Sequence, residues 1–313
     1  MRLASSTRTR IAATAALAVI GLTGACSSDG GTVPPPPAPG GQQNTQSFLD
    51  RAPVATPDEL AKSPTATAIK QRGELLIGGS LDAPLLSQQN PTTGETEGFD
   101  AMLGKLLAKY IIGAPSAKIV NSGSETREAL LQNSTVDVVF QTYTITPERA
   151  QKVAFAGPYL ISGQAIAVLK GKNGITKPSD LNGKKVIAGA NTPGIDAIKQ
   201  QAPQADIVAF GTDPECVQAL EQGRGDAYVQ DLTLLAASAR LNDKIEIRGE
   251  PFTSDPYGIG LKHGDDSFKQ FVNQWLTKIQ GAGLWQQAWK DSLGSVVAGE
   301  APNPPAIGSV PGS

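Results

Sequence analysis

The chain has few of the residues that build the commonest catalytic and structural sites. It contains one histidine, His263, and aromatic residues make up only 5 % of its 313 residues. A single histidine argues against a histidine-based metal site or a Ser/His catalytic triad, and the scarcity of aromatics leaves little for stacking on bases or sugars. The formal charge of −2 at pH 7 gives no reason to expect nucleic acid or an anionic membrane surface as partner. We expect no metal and no cofactor.

Cysteine is also scarce. The two cysteines, Cys26 and Cys216, offer no disulfide framework, and Cys216 is predicted to be a small buried apolar residue. Cys26 follows three arginines and a 15-residue apolar run, "IAATAALAVIGLTGA", which is too short to span a bilayer comfortably and has the layout of a signal peptide. The run ends in "LTGAC", which resembles a bacterial lipobox. We therefore expect a lipoprotein signal peptide over residues 1–25 and lipidation of Cys26, with ordinary secretion and cleavage nearby as the alternative.

Two segments contain little that could form a core. Residues 26–69 begin, after the cysteine, with "SSDGGTVPPPPAPGGQQNTQ", in which proline favours a semi-stiff extended chain. We predict that this segment is a mostly disordered tether between the anchor and a folded body. The C-terminal residues 299–313, with "APNPPAIGSVPGS", look similarly disordered.

The intervening part alternates short β-type runs with helical patterns. Helical spacing of apolar residues is clear in "GFDAMLGKLLAKYI" and again over residues 268–279. Continuous apolar strands between such helices predict an α/β fold with parallel-rich sheets covered by helices on both faces. The predicted strands are "ELLIGG", "AKIV", "VDVVF", "QAIAVL", "KKVIAG", "ADIVAF", "DAYVQ", "KIEIR" and "YGIGLK".

Ligands of such sheets bind where strands end and helices begin, so the helix starts were searched for charged groups. In "TITPERAQ", Thr146 is a plausible N-cap that places Arg149 in the first turn, where the helix dipole disfavours a cation. Thr142 and Thr144 alternate, so their side chains are predicted to point to one side. Together these groups suit a carboxylate, which arginine binds through two parallel hydrogen bonds. The alternative is that Arg149 only pairs with a nearby acid such as Glu148.

A second arginine repeats this pattern. In "SGSETREALLQ", a cap at Ser124 would leave Arg127 in the first turn of a helix. The alternative is a solvated arginine near Glu125 and Glu128. Arg127 and Arg149 are therefore both candidates for binding an anion.

Two further helix starts complete the set. Thr192 in "GANTPGID" is predicted to cap a helix whose free N–H groups can receive an anion. Asp231 ends the strand "DAYVQ" and begins a helix, so it can receive an ammonium group. Each of the two residues could instead be an ordinary cap. Arginines, hydroxyls and one acid on separate units match an α-amino acid, and an acidic one in particular.

Several blocks resemble the polar amino-acid family of bacterial extracytoplasmic solute-binding proteins. The similarity spans residues 70–298 and is nearest to the glutamate/aspartate/glutamine-binding lipoproteins of actinobacteria. It implies a two-lobed periplasmic-binding-protein fold (type II) with two hinge crossings. Lobe 1 would comprise residues 70–162 plus 255–298, and lobe 2 residues 163–254. The blocks are "GFDAMLGKLLAKY", "SETREALLQNSTVDVVFQTYTITPERAQKVAFAGPY", "LNGKKVIAG", "LEQGRGDAYVQD" and "PFTSDPYGIGLKHGD".

The resemblance also implies roles at the cleft. Arg149 would bind the ligand's α-carboxylate with the help of Thr142 and Thr144. Thr192 and the N–H groups after it would hold the same carboxylate from the second lobe. Asp231 would receive the α-ammonium.

The ligand's side chain is assigned in the same way. Arg127 lies where acidic-amino-acid binders of the family place an arginine for the side-chain carboxylate, which favours glutamate or aspartate over glutamine. Asp82 and Gln230 are weaker candidates for the cleft wall. The first-strand segment "SLDAPLLS" lacks the aromatic that often covers the ligand, so the side-chain preference is less constrained than the α-amino-acid assignment.

The expected function is binding rather than catalysis. We expect a lipid-anchored monomer on the extracytoplasmic face of the cell membrane, which captures an acidic amino acid, with amides possible ligands, and presents it to a membrane ABC importer. The alternative is an amino-acid sensor that signals through a membrane receptor. An enzyme is a further alternative because this fold also hosts dehydratases and lytic enzymes, but the sequence supplies no convincing general acid/base pair.

Overall fold

The computed structural model describes residues 48–297 and 300–313. The predicted signal peptide, Cys26 and the first part of the predicted tether lie outside the described residues. The strands in chain order are β1 (Leu75–Gly79), β2 (Asp82–Ala83), β3 (Ser87–Gln89), β4 (Thr96–Glu97), β5 (Ala117–Asn121), β6 (Val138–Val139), β7 (Ala154–Ser162), β8 (Gln164–Leu169), β9 (Lys185–Gly189), β10 (Asp206–Phe210), β11 (Ala227–Asp231), β12 (Ile245–Arg248) and β13 (Asp255–Leu261).

Helices separate most of these strands. They are α1 (Pro57–Leu60), α2 (Pro64–Arg72), α3 (Phe99–Ile112), α4 (Arg127–Gln132), α5 (Pro147–Ala150), α6 (Pro193–Gln201), α7 (Asp213–Glu221), α8 (Leu232–Leu241), α9 (Asp266–Gly281) and α10 (Leu284–Lys290), with 3-10 turns at Pro178–Leu181 and Leu293–Ser295. Within the two described ranges, none of the helices has the length and apolar character needed to cross a bilayer.

The strands form two five-stranded sheets and one small three-stranded sheet. The order is β5–β1–β6–β13–β7 in the first lobe and β10–β9–β11–β8–β12 in the second, while β2, β3 and β4 pair separately. In both large sheets three neighbouring strands run parallel and antiparallel pairings add the other two. This mixed, two-lobed α/β architecture confirms the predicted fold class.

Each large sheet is buried on both faces. Val138 packs into one apolar cluster of the first lobe and Val139 into another, because successive residues of a strand point to opposite faces. In β8 of the second lobe, Ile166 and Ala167 divide in the same way between two clusters. The same pattern explains why these strands read as continuous apolar runs rather than alternating ones. Cys216 is completely buried in the second of these β8 clusters, as predicted.

The chain passes twice between the lobes. It leaves the first sheet at the end of β7 and enters the second at β8, with only Gly163 between them, and it returns between β12 and β13. The first lobe is residues 70–162 plus 255–298 and the second lobe is residues 163–254, the bounds predicted from the sequence. β7 is absent from the predicted strands because its Gly157–Pro158 pair resembles a chain break, and the register with β13 shifts opposite this pair to accommodate a residue without an N–H.

The predicted disorder of residues 26–69 is wrong for residues 48–69. Phe48 and Leu49 are buried in the first-lobe core, and the short helices α1 and α2 continue this packing. Thr56 caps α1 in a reciprocal capping box with Glu59, whose carboxylate also pairs with Lys278 of α9. Residues 48–69 therefore contain enough apolar side chains to pack on the first lobe.

The predicted disordered tail, residues 299–313, is likewise wrong for residues 300–313. Ile307 and Val310 are partly buried against two different first-lobe clusters. Between them, the Gly308 N–H donates to the Gly157 carbonyl at 2.8 Å. These apolar residues are isolated among prolines and glycines, so no helical or strand-like spacing predicts their contacts.

Candidate functional site

Arg149 lies on a helix of a single turn, α5. The Thr146 hydroxyl accepts a hydrogen bond from the Arg149 N–H at 3.2 Å, which confirms the predicted cap. The guanidinium is buried and donates to the Thr144 carbonyl at 2.9 Å and to the Asn191 carbonyl, in the second lobe, at 2.8 Å. Glu148 instead pairs with Lys152 at 3.0 Å, so the alternative of an Arg149–Glu148 ion pair is wrong.

Arg127 is more deeply buried, with 2 % of its surface exposed. It is the first residue of α4, as predicted for the first turn, but the N-cap is Thr126 and not Ser124. The helix starts late because the Thr126 hydroxyl accepts from the Gly123 N–H at 3.1 Å and holds a turn in front of it. The guanidinium donates to the Gln141 carbonyl at 2.9 Å, and its Nε has no partner among the described residues. Burial excludes the alternative of a solvated surface arginine.

The ring of Tyr143 connects the two arginines. The guanidinium carbon of Arg127 lies 3.9 Å from the ring centroid and that of Arg149 lies 5.1 Å from it. Burial raises the pKa of Tyr143 to about 12, so the phenol stays neutral and donates to Glu128 at 3.4 Å. Burial lowers the pKa of both arginines, and Arg149 also lowers that of Arg127, but a guanidinium keeps its proton in proteins.

Neither arginine pairs with a carboxylate of the residues that the structure describes. Within the described part of the chain, no acidic side chain forms a salt bridge with Arg127 or Arg149, although exposed ion pairs occur elsewhere. A buried charge without a counter-charge is strongly unfavourable. The negative charge of Asp231 is close enough to raise the pKa of both groups, which offsets part of the effect of burial. The site is therefore built for a further anion.

The two predicted threonines lie in different environments. The strand ends at Val139 and Thr142 has a left-handed φ of 43°, so the alternation expected for a regular strand does not apply here. Thr142 lines the cleft, and its N–H donates to the buried carboxylate of Asp100 at 2.9 Å. Thr144 is buried, and its hydroxyl has no partner among the described residues.

On the second lobe, Thr192 occupies the N-cap of α6 without capping it through its side chain. Its hydroxyl donates instead to the Gly189 carbonyl at 2.7 Å. The preceding residue, Asn191, is absent from the predicted set and forms two contacts between the lobes. Its amide donates to the Ser124 carbonyl at 2.7 Å, while its own carbonyl accepts from Arg149. Its left-handed φ of 55° is a conformation that asparagine tolerates well, which is the one local signal for it.

Asp231 stands at the N-cap of α8, but its side chain caps nothing. The carboxylate, 4 % exposed, accepts a hydrogen bond of 2.6 Å from the Gln164 amide. The alternative of a simple helix cap is therefore wrong. Burial and the nearby Asp255 raise the pKa of Asp231 to about 8. Gln164 and Asp255 are further site residues that were not predicted.

A cavity of about 330 Å³ lies between the lobes. Four of the predicted residues line it: Asp82, Thr142, Thr192 and Gln230. Arg149 and Thr192 line a second space of about 630 Å³, while Arg127, Thr144 and Asp231 line neither. The structure thus brings the predicted residues into one region, with the most buried charges behind the walls of the cleft.

The weaker candidates have distinct surroundings. Gln230 is buried; its amide donates to the Tyr228 hydroxyl at 2.9 Å and its carbonyl accepts from the Asp231 N–H at 3.0 Å. Asp82 is exposed on β2 and faces Asp213, another cavity-lining acid that was not predicted. Burial, and to a smaller extent the charge of Asp82, raises the pKa of Asp213. Among the described residues no group of three acidic, histidine or cysteine side chains could hold a metal ion.

Two mixed α/β lobes, two chain crossings and a polar cleft between the lobes are the architecture of the predicted type II periplasmic-binding-protein fold. The chain belongs to the bacterial extracellular solute-binding proteins, family 3, whose sequence profile matches residues 75–294. This confirms the family resemblance seen in the sequence.

Individual relatives support the assignment. A glutamine-binding protein of an ABC transporter from Bacillus subtilis is 34 % identical over 231 residues, which cover 74 % of this chain and 85 % of that protein. A glutamate-binding protein from Corynebacterium glutamicum is 31 % identical over 248 residues, covering 74 % and 82 %. The crystal structure of a cysteine-binding protein from Campylobacter jejuni superposes with a TM-score of 0.71 at 27 % identity, covering 75 % of this chain and 94 % of that one.

Proposed function

We propose that this protein captures an acidic L-amino acid, glutamate or aspartate, in the cleft between its lobes, with the amides as weaker ligands. The observation that carries the proposal is the pair of buried guanidinium groups, Arg127 and Arg149, which lack a carboxylate partner among the described residues. A ligand with two carboxylates would supply one to each arginine. The names of the relatives, which bind glutamine, glutamate and cysteine, support an amino acid as ligand.

The α-carboxylate would bind at Arg149. A bidentate pair needs two guanidinium N–H groups to face the ligand, so the hydrogen bond that Arg149 now donates to the Asn191 carbonyl would be exchanged for one to the ligand. The Thr144 hydroxyl is an unused buried donor beside this position, and Thr142 lines the cleft on the same lobe. Thr192 and the start of α6 would close over the carboxylate from the second lobe.

The α-ammonium would bind at Asp231. Its carboxylate is buried, does not cap its helix, and already influences both arginines. A zwitterion is stable in such a site only when each of its charges meets an opposite one. The separation of Asp231 from the two arginines, on opposite lobes, then makes binding complete only when the cleft closes.

The preference for an acidic side chain rests on Arg127. Its guanidinium has one hydrogen bond to a backbone carbonyl and an Nε without a partner among the described residues, so a side-chain carboxylate would satisfy more of it than an amide would. Asp82 and Gln230 would complete the wall around the side chain.

In the cell, the loaded protein would be presented to a membrane ABC importer. The family is one of extracellular solute-binding proteins, and the Bacillus subtilis relative belongs to an ABC transporter. Lipidation at Cys26 would keep the protein at the extracytoplasmic face of the membrane. A sensor that signals through a membrane receptor would use the same ligand chemistry; adjacent permease and ATPase genes would favour transport, and an adjacent receptor gene would favour sensing.

The direct test is a thermal-shift screen of the protein against the twenty amino acids, followed by calorimetry on those that stabilise it. We expect the largest shifts with glutamate and aspartate. A set of shifts led by glutamine, or by a basic amino acid, would contradict the acidic preference, and no shift with any amino acid would contradict the proposal as a whole. Glutamate recovered unchanged after long incubation with the protein would argue against catalysis.

A further inference from the structure

Directly beside Asp231 lies a second buried carboxylate, that of Asp255. The side-chain amide of Gln164 donates to Asp231 at 2.6 Å and to Asp255 at 2.6 Å through the same nitrogen. Gln164 is fully buried, and Asp231 and Asp255 are 4 % and 6 % exposed. The two carboxylate oxygens are therefore within twice that hydrogen-bond length of each other, away from water.

These three residues join both lobes at the crossings. Gln164 begins β8, directly after the first crossing, and it is paired in register with Asp231 at the end of β11. Asp255 begins β13, directly after the second crossing, and it is paired with Ser162 at the end of β7. The contact that holds the proposed ammonium site is thus made by residues next to both crossings between the lobes.

Among the described residues, the pair has no cation in direct contact. In the described ranges no lysine, arginine or histidine forms a salt bridge with Asp231 or Asp255, and the shared amide is neutral. Two ionised carboxylates this close in a buried site repel each other, and burial adds to the cost of the charge on Asp231. One proton between them removes the repulsion.

Other groups around Asp231 lower the pKa of its carboxyl group, but by less than burial and Asp255 raise it. The hydroxyl of Tyr257 and the positive charge of Arg149 both favour the ionised carboxylate of Asp231. The negative charge of Asp231 in turn raises the pKa of Arg127. Burial and Asp255 nevertheless dominate, and the pKa of Asp231 is raised to about 8.

The amide itself carries a further sign of a missing partner. The Oε1 atom of Gln164 is buried and accepts no hydrogen bond from the described residues. It faces the start of α6, where a Cβ built on Gly194 would lie 2.8 Å from it, next to the wall formed by Thr192. An ammonium group has three N–H donors and no acceptor, so it suits two carboxylates and an unused carbonyl.

We propose that Asp231 and Asp255 hold one proton between them in the ligand-free protein and release it to solvent when the ligand's ammonium group binds. Asp255 is then a positioning residue that acts through Gln164 and Asp231. The one bond that breaks is the carboxyl O–H, whose proton passes to water or buffer, and the ligand's ammonium group then becomes the positive partner of the two carboxylates. The proposal rests on the proposed function, since it needs a ligand with an ammonium group. Affinity should consequently rise as the pH rises towards 8.

The test is calorimetry with glutamate and with glutamine near pH 6.5, in two buffers that differ in their enthalpy of ionisation. We expect release of about one proton for each ligand bound, and a dissociation constant that falls by up to about 100-fold from pH 6 to pH 8. Asp255→Asn should bind either ligand more weakly and release clearly less than one proton near pH 6.5, because Asp231 then ionises more readily although its burial remains. Asp206→Asn, at an exposed site paired only loosely with Lys185 at 4.0 Å, is the matched control and should keep the full release.

The outcomes separate the two proposals. Binding without proton release, or proton release unchanged in Asp255→Asn, would overturn the linkage and leave the proposed function intact. Absence of binding by the unmodified protein to any amino acid would overturn both. If Asp255→Asn fails to fold, the pH dependence of binding by the unmodified protein decides the question, and a flat profile from pH 6 to 8 would overturn the linkage.

Discussion

The buried charges proposed to bind the ligand have opposite sign on the two sides of the cleft. The two arginines form a cationic wall on the first lobe, Asp231 forms an anionic wall on the second, and the two walls are built in different ways. On the first lobe, Arg127 and Arg149 flank the ring of Tyr143, and each donates to a backbone carbonyl of its own lobe. On the second lobe, Asp231 is held by a side-chain amide that it shares with Asp255. The cationic wall is therefore fixed by backbone, whereas the anionic wall depends on a side-chain network that crosses between the lobes.

The two walls therefore differ in whether they keep their charge when no ligand is bound. The arginines keep their protons, so their positive charge persists in the empty cleft and favours binding of an anion. The carboxylates can take up a proton and become neutral. The positive wall would therefore set which ligand is attractive, and the negative wall would set the pH at which it is bound.

The largest expected effect comes from removing Arg149. Arg149→Ala should weaken binding of every amino acid by at least about 100-fold, because the α-carboxylate would be buried without its charged partner. Calorimetry measures the loss. Glu148→Gln, the exposed neighbour on the same turn that pairs with Lys152, should bind normally. Unchanged affinity in Arg149→Ala would show that the cationic wall does not bind the ligand.

Asp231→Asn should cause a comparable loss of binding, but with a distinct effect on the ligand-free fold. Because the pKa of Asp231 is raised from 3.8 to about 8, its contribution to stability is complete below pH 3.8 and declines as the pH rises to about 8. A neutral amide avoids that decline. At pH 8 the variant should therefore gain at least about 2 kcal/mol, or at least roughly 4–8 °C in Tm, and little at pH 4.

Thermal unfolding at the two pH values checks this prediction. Asp243→Asn, at an exposed residue in the turn before β12, serves as control and should show no such pH-dependent gain. A gain of equal size at both pH values would mean that Asp231 is not forced to ionise in the ligand-free protein.

Arg127→Gln should produce a selective and smaller effect. We expect the affinity for glutamate and aspartate to fall about tenfold or more beyond any loss for glutamine and asparagine, because only the acidic ligands lose a charged partner. Calorimetry with all four ligands checks this. Arg224→Gln, an exposed arginine that lies 4.6 Å from the Phe210 ring, is the control for loss of an arginine on an aromatic ring. An equal loss for the four ligands would give Arg127 a structural role only.

The smallest expected effect concerns the bridge between the walls. Asn191→Gly keeps the left-handed backbone and its carbonyl but removes the amide that donates to Ser124 at 2.7 Å. We expect about 2- to 10-fold weaker binding, the range for one lost neutral hydrogen bond in the closed form. Titration of the variant beside the unmodified protein measures it; unchanged affinity would mean that this bond does not contribute to closure.

Much of the fold could be predicted because its signals are local. The apolar period of α3 and α9 is continuous, and the apolar strands around them alternate with helices as an α/β fold requires. β7 could not be predicted, since the Gly157–Pro158 pair in it is tolerated only through a register shift against β13. The docking of residues 48–69 was also unpredictable, because it depends on a surface formed by residues far along the chain.

The candidate site divides in a similar way. Helix starts have sequence signatures, and those signatures predict Arg149, Thr192 and Asp231 at the ends of strands. The cap at Ser124 is wrong, because a turn held by Thr126 delays the helix by a few residues. Asn191 and Gln164 carry no signature for their contacts, which reach partners in other elements.

The sequence by itself determined which functional groups are available to bind a ligand: two arginines, a few hydroxyls and an acid at the starts of helices. It also determined that the chain folds into two α/β lobes. These features follow from caps, prolines and apolar periods, which act over a few residues. Only the tertiary structure decided that the arginines meet no carboxylate in the described part of the chain, and that Asp255 joins Asp231 through Gln164, a residue 91 positions away from Asp255. Contacts at that separation depend on how whole elements pack, and no local pattern encodes them.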